Sequence, residues 1–162
     1  MMFKKIFMLT VPFIFMLGCS NTDVKLEVGG ASEDPIYHTS ESMKEYNFPF
    51  SEAVQTGNLL FVTGQIGNYP GTTDLAPGGI KGEAAQAMDN IKTILEANGS
   101  SMDQVVKATV LLVDISEWPA FNEVYGTYFP GKNKPARTAS AGTGLAFGAR
   151  CEVDVIAYVK SE

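Results

Sequence analysis

Arg137 and Glu152 are the residues of this 162-residue chain whose types and spacing are best suited to chemistry on a small carboxylic acid. The chain has two arginines, Arg137 and Arg150, and eighteen acidic residues, so an arginine is a rare cation here. A guanidinium is always charged, and its planar fork of donors binds a carboxylate at two points. A glutamate held near a water molecule can act as a general base. The pair therefore predicts carboxylate binding combined with water activation.

The spacing of the pair leaves two interpretations open. In an extended strand Glu152 and Asp154 point to one face, while Cys151 and Val153 point to the other. If the segments 136–141 and 150–159 pair as a hairpin, Arg137 and Glu152 can approach one another. They would then form either a structural ion pair that joins the hairpin or a site in which Arg137 binds a substrate carboxylate while Glu152 positions water.

The elements that must position these residues are visible as apolar periodicity. A strand, a Thr56-Gly57-Asn58 turn and a second strand are followed by helices and strands that alternate. The predicted strands are 53–55, 59–63, 105–113, 136–141 and 150–159, and the predicted helices are 84–95 and one that begins at Ser116 or Glu117. The order ββαβαββ predicts an α+β fold with one sheet. Because two amphipathic helices cover only one sheet face, the other face must be polar or covered by another subunit.

The N-terminus has the pattern of an export signal. Lys4 and Lys5 precede an apolar run, residues 6–17, that is too short to span a bilayer. The run ends in Met16-Leu17-Gly18-Cys19-Ser20, which resembles a bacterial lipobox in which Cys19 becomes the lipidated first residue. We therefore predict a signal peptide (1–18), a flexible tether (19–45) and one domain (46–162).

This pattern predicts a lipid-anchored protein of the bacterial cell envelope that faces the periplasm. Ser20, rather than Asp, after the cysteine favours the outer membrane. Lipidation at Cys19 predicts that the full chain incorporates labelled fatty acid in a bacterial host and that Cys19→Ser abolishes the label. Label retained in Cys19→Ser would contradict the lipobox.

Charge and composition disfavour several other classes of function. Removal of residues 1–18 takes away two lysines and no acids, which changes the formal charge from −6 to −8 and disfavours binding to nucleic acid. No Cys/His cluster with metal spacing is present. The only histidine, His38, lies in the predicted tether, where a solvated side chain is expected. With Cys19 acylated, Cys151 is the only thiol left, so no intrachain disulfide is expected.

Five segments together resemble the YjgF/RidA family in its usual order. The resemblance covers about residues 46–160 and is specific as an ordered set. The segments are SEAVQTGNLLFVTGQI at 51–66, NIKTILEA at 90–97, NEVY at 122–125, PAR at 135–137 and EVDVIA at 152–157.

This resemblance implies a chorismate-mutase-like α+β fold and a homotrimer with sites in the clefts between subunits. It also implies hydrolysis of reactive 2-imino acids, the tautomers of enamines such as 2-aminoacrylate, to 2-keto acids and ammonia, without metal or organic cofactor. Arg137 matches the family's substrate-carboxylate arginine. Glu152 matches the acidic residue associated with water activation, and Gly64 matches the glycine whose backbone lines the cleft.

Three positions depart from the family pattern. Phe50 stands where many members have a tyrosine, so a hydroxyl that can orient water or substrate is missing. Thr138 replaces a more usual serine in the substrate-binding segment, and Ala139 replaces a common cysteine. The loss of the tyrosine leaves a second hypothesis open, a non-catalytic trimer that binds small carboxylates. Ribonuclease activity, attributed to some relatives, is disfavoured by the negative charge and by the lack of a histidine in the domain.

Overall fold

The computed structural model describes residues 34–142 and 144–160. Cys19, the predicted signal peptide and the first part of the predicted tether lie outside the described residues, so lipidation and location stay predictions. Within the described part of the chain, no helix is both long and apolar enough to cross a membrane.

One mixed sheet of six strands organises the domain. Its strands are β1 (Ile36–His38), β2 (Ala53–Thr56), β3 (Leu59–Ile66), β4 (Val105–Leu112), β5 (Ala136–Ala141) and β6 (Cys151–Tyr158). The order across the sheet is β1-β2-β3-β6-β4-β5, and every neighbouring pair is antiparallel except β4 and β5. The predicted α+β class with a single sheet is confirmed.

The helices are α1 (Glu41–Lys44), α2 (Gly79–Ala97) and α3 (Trp118–Tyr125). The helix predicted for residues 84–95 is confirmed as α2, which extends beyond the predicted apolar stripe at both ends. The helix predicted to begin at residue 116 or 117 is α3, which is preceded by a 3-10 turn at Ile115–Glu117. Apolar side chains of α2 and α3 pack with alternate strand residues into one core. Its fully buried large side chains include Leu60, Met88, Ile91, Leu95, Val110, Leu112, Phe121, Val153 and Val155.

The segment predicted as a tether contributes to the sheet. Ile36–His38 pairs antiparallel with β2, and His38 lies opposite Ala53. The backbone N–H of Ser40 donates to the Glu52 carboxylate at 2.9 Å, which ties the segment to the start of β2. The tether prediction is therefore wrong for residues 36–44, and His38 is half-buried instead of solvated. Its three-residue strand is too short to produce a visible period in the sequence.

The predicted hairpin between the last two strands is wrong. Strand β5 runs parallel to β4, as a right-handed crossover through α3 requires, while β6 lies on the other side of β4 between β3 and β4. The chain crosses the carboxyl end of β4 to reach this position. Gly142 donates its N–H to Leu112, and Val113 donates its N–H to Arg150, so the crossing is hydrogen-bonded on both sides.

Within the described residues, the helices cover one face of the sheet and leave the other open. Along β6, Cys151, Val153 and Val155 are buried against the helices, whereas Glu152 and Asp154 are half-buried on the opposite face. The alternation predicted from the sequence is confirmed. Phe61 is 39% exposed on this open face, so the face offers apolar as well as polar surface.

Candidate functional site

Glu152 lies on the open sheet face beside the backbone of β3. The register between β3 and β6 shifts between Val62 and Gln65, which is a β-bulge, and Ile66 lies opposite Glu152. A Cβ atom placed on Gly64 would overlap the Glu152 carboxylate and lie 2.8 Å from its Cδ. Only glycine at this position lets the carboxylate lie against the strand.

The electrostatic setting of Glu152 favours a role as proton acceptor. Burial raises the pKa of its carboxyl group above the ordinary value, and the charge of Asp154 two residues along the same face raises it further. A carboxylate with a raised pKa is a stronger base in its ionised form.

A pocket of about 350 Å³ opens above Glu152 and Gly64. Its volume lies near the lower end of the range of about 300 to 1,000 Å³ that is usual for small-molecule sites. Phe50 lines the pocket, as does Phe147 on the connection between β5 and β6. The structure thus brings together three of the predicted site residues, Gly64, Phe50 and Glu152.

Arg137 lies elsewhere in the same protomer. It is level with Ala108 of β4, and Ala108 is fully buried on the helix-covered face. Its guanidinium carbon lies 4.5 Å from the centre of the Tyr125 ring of α3, a cation–π arrangement. Burial raises the pKa of the Tyr125 phenol, and the charge of Arg137 opposes part of that rise. Tyr125 is therefore the platform on which Arg137 is held.

Arg137 and Glu152 do not form an ion pair within one protomer. Strand β4 lies between β5, which carries Arg137, and β6, which carries Glu152. In the strand register, Arg137 is paired with Ala108 of β4 and Glu152 with Leu111 of β4. Two strand spacings across the sheet and three residues along it separate their backbones by about 14 Å. The two side chains also point to opposite faces. The hypothesis of a structural ion pair is wrong for the single chain, because the hairpin it required does not form.

Thr138 follows Arg137 but points to the open face. Its side chain is exposed, and its hydroxyl oxygen accepts a hydrogen bond from the Lys107 ammonium at 3.2 Å. It lies two strands from Glu152 and does not line the pocket. Arg137 and Thr138 therefore occupy the two faces of one edge strand.

The second arginine, Arg150, makes contacts that stabilise the fold. Arg150 donates to the Glu117 carboxylate, with Nε 2.9 Å from Oε1. Its backbone N–H donates to the buried carboxylate of Glu83 at 2.7 Å. These contacts join the start of β6 to α2 and to the turn before α3, so Arg150 is engaged structurally.

The buried thiol of Cys151 and possible metal ligands are the remaining candidates for chemistry. Burial raises the pKa of the Cys151 thiol to about 12, so this side chain is protonated and unreactive at neutral pH. In residues 34–142 and 144–160, no group of three His, Cys, Asp or Glu side chains is arranged to hold a metal ion.

Sequence reasoning missed the other residues of the pocket wall and the platform under Arg137. Tyr46 and Phe48 line the pocket with Phe50, and the sequence motifs assign them no role. An aromatic ring occurs at every second residue from 46 to 50, and this alternation is the sequence pattern that could have indicated a shared aromatic surface. The helical spacing of the aromatic residues in α3 predicts a core position for Tyr125, and the burial of Tyr125 confirms this prediction. The contact between Tyr125 and Arg137, however, depends on β5 lying beside α3.

Comparison with known proteins places these features in a family. The family model described as Endoribonuclease L-PSP matches residues 42–159. A RutC family protein of Pyrococcus horikoshii is 44% identical over 110 residues, which are 68% of this chain and 86% of that protein. The mouse 2-iminobutanoate/2-iminopropanoate deaminase is 43% identical over 109 residues, covering 67% of this chain and 80% of the enzyme.

Solved structures agree with the fold. The crystal structure of RidA from an Antarctic Psychrobacter superposes with a TM-score of 0.66 at 34% identity, covering 76% of this chain and 94% of that chain. A putative endoribonuclease from Thermotoga maritima superposes with a TM-score of 0.66 at 37% identity, covering 71% and 90%.

The platform under Arg137 can be tested by substitution of Tyr125. Tyr125→Leu removes the ring face and should weaken binding of pyruvate by about 2- to 30-fold, the range expected for a cation–π contact. Tyr125→Phe keeps the ring and should bind pyruvate within about twofold of wild type. Isothermal titration calorimetry measures both, and urea unfolding checks that each variant is folded. Equal affinities in folded Tyr125→Leu and Tyr125→Phe would contradict the role.

Proposed function

The chain belongs to the Endoribonuclease L-PSP family, also known as the YjgF/RidA family, and on that premise we propose that it hydrolyses reactive 2-imino acids to 2-keto acids and ammonia. The observation that carries the proposal is the half-buried Glu152 carboxylate, held against Gly64 at the floor of a pocket and raised in pKa. Relatives named as deaminases, at about 43% identity, support the same reaction class.

The reaction requires modest help from the protein. An imine carbon is already electrophilic, so a correctly placed water and a base supply most of what is needed. Glu152 accepts a proton from water as the oxygen bonds to the imine carbon, and it returns this proton to the nitrogen. Collapse of the resulting amino alcohol to the keto acid breaks the C–N bond and releases ammonia. Every atom of the products comes from imine and water.

The carboxylate of the substrate needs a cation that a single protomer does not bring to Glu152. We propose that a homotrimer supplies it: the edge strand β5 of a neighbouring subunit packs beside the open sheet face, and Arg137 of the partner subunit completes each pocket from that edge. The half-exposed apolar side chain of Phe61 on the open face supports such packing. So does the position of Arg137 on an edge strand, where a neighbouring subunit can be reached.

Two inactive variants should therefore complement one another. Arg137→Ala and Glu152→Gln should each reduce imine hydrolysis at least about 100-fold, because each removes a charged group from every site. After dissociation and reassembly of a 1:1 mixture, random trimers restore about one quarter of the sites to wild type. The assay generates imines with an amino-acid oxidase, traps them with semicarbazide and measures how far the protein competes with the trap.

A matched control uses the double variant Arg137→Ala/Glu152→Gln mixed with Arg137→Ala, which has no arginine to share and should recover nothing. Exchange of subunits is followed by mass spectrometry. Failure of the single variants to complement, in trimers that do exchange, would place both residues of a site in one subunit and overturn the shared site.

The pH dependence reports on Glu152. A base works in its deprotonated form, so kcat/KM should fall as pH falls through the pKa of Glu152. Since the charge of Asp154 raises that pKa, Asp154→Asn should move the acid limb to lower pH. Asp103→Asn changes an exposed carboxylate outside the pocket and should leave the limb in place. An acid limb unmoved in Asp154→Asn would assign it to another group.

A second candidate function is a non-catalytic trimer that binds small carboxylates. Phe50 favours this candidate, because the pocket lacks the hydroxyl of the family tyrosine. A wild-type protein that binds 2-keto acids but does not compete with semicarbazide would establish it. Ribonuclease activity, for which the family is named, is the third candidate, and the formal charge of −6 disfavours it.

A further inference from the structure

Three aromatic rings form a continuous wall of the pocket above Glu152. The rings of Tyr46 and Phe48 stack with centroids 5.4 Å apart, and those of Phe48 and Phe50 with centroids 5.1 Å apart. The planes within each pair are tilted by only 11° and 14°. We call this set, Tyr46, Phe48 and Phe50, the aromatic ladder.

The aromatic ladder is anchored but not buried. The Tyr46 hydroxyl donates to the carbonyl of Gly71, which fixes one end of the ladder to the loop after β3. The three rings remain 43%, 37% and 49% exposed, in the order Tyr46, Phe48 and Phe50. Large rings that are stacked together yet open to solvent leave apolar surface available to a ligand, since covering it releases free energy.

Phe147 adds an aromatic side chain from another part of the chain. It lines the same pocket and is 57% exposed. Its backbone adopts φ 57° and ψ 15°, the left-handed region that a bulky residue rarely occupies. A strained backbone at a pocket-lining residue is typical of a binding site, where the conformation serves to direct the side chain.

The charges around the pocket determine which ligand side chains suit this wall. Glu152 at the floor and Asp154 beside it on the same face repel an acidic side chain. The aromatic ladder gives a polar side chain no partner at Phe50, which carries no hydroxyl, and the amide groups of Gln65 and Asn68 in the pocket lining already donate to backbone carbonyls. A methyl or ethyl group, as in the substrates for which the mouse relative is named, would cover only a small part of this surface.

We propose that the pocket selects imino acids with a large apolar side chain, such as those derived from phenylalanine or leucine. The inference rests on the proposed function, because it names the substrate class of that site. The carboxylate lies toward Arg137 of the partner subunit, the imine carbon lies over Glu152, and the side chain packs on the aromatic ladder.

The test compares substrates within one assay. Imines are generated in situ from L-phenylalanine and from L-alanine by an amino-acid oxidase, and competition with semicarbazide gives kcat/KM for each. Burial of a phenyl group predicts a kcat/KM about 10- to 100-fold higher for the phenylalanine-derived imine. Equal values, or a higher value for the alanine-derived imine, would overturn the inference and leave the proposed function standing.

Substitutions test whether the aromatic ladder is responsible for the preference for the phenylalanine-derived imine. Phe48→Ala removes the middle ring of the aromatic ladder, and the ratio of the two kcat/KM values should fall at least about fivefold. Tyr69→Ala removes an exposed aromatic side chain that does not line the pocket, and the ratio should not change. A ratio unaffected by Phe48→Ala in a folded protein would show that the aromatic ladder does not hold the substrate.

If no imine is hydrolysed, the inferred preference for large apolar side chains is tested by the binding of 2-keto acids. In that outcome the proposed function fails, and calorimetry with phenylpyruvate and pyruvate takes the place of kinetics. Phenylpyruvate should bind at least about tenfold more tightly than pyruvate in wild type, and Phe48→Ala should reduce the difference. Equal affinities would overturn the inference as well.

Discussion

The packing of α2 and α3 on one face of the sheet is the constraint from which the rest of the arrangement follows. Strand residues alternate between faces, so burial of Val153 and Val155 against the helices sends Glu152 and Asp154 to the open face. The same covering leaves the second face without a partner inside the described part of the chain. A carboxylate with a raised pKa and an unpaired sheet face are thus two consequences of one packing arrangement.

The insertion of β6 between β3 and β4 separates the two charged residues of interest. It brings Glu152 beside the bulge of β3, where Gly64 leaves room for the carboxylate. It also leaves β5 at the edge, with Arg137 on the helix side over Tyr125. Chemistry that uses both charges therefore requires a second copy of the chain, and the proposed homotrimer follows from this topology as well as from the family.

The floor and the walls of the pocket come from different kinds of structure. Strands β3 and β6 position Gly64 and Glu152, with Gly64 at the bulge of β3. The walls come from irregular segments, the stretch that carries Tyr46, Phe48 and Phe50 and the connection that carries Phe147. Rigid strands suit residues that act on a bond common to all substrates, whereas loops vary readily and suit residues that contact the side chain. This division is the structural basis of the proposal that a reaction shared with the relatives is combined with a substrate preference of this chain.

The amino-acid sequence was sufficient to predict the α+β class, the main helices and strands, the alternation along β6, and Arg137, Glu152 and Gly64 as candidate site residues. These depend on local periodicity and residue chemistry, or on ordered motifs, and each can be recognised in one dimension. The tertiary structure alone decided which strands are neighbours. The glycine-bearing connection after β5 has the composition of a hairpin loop, yet its hydrogen bonds cross the end of β4, and no local pattern distinguishes the two paths. The face of Arg137 and its contact with Tyr125 were decided there too, because each depends on where distant segments meet in space.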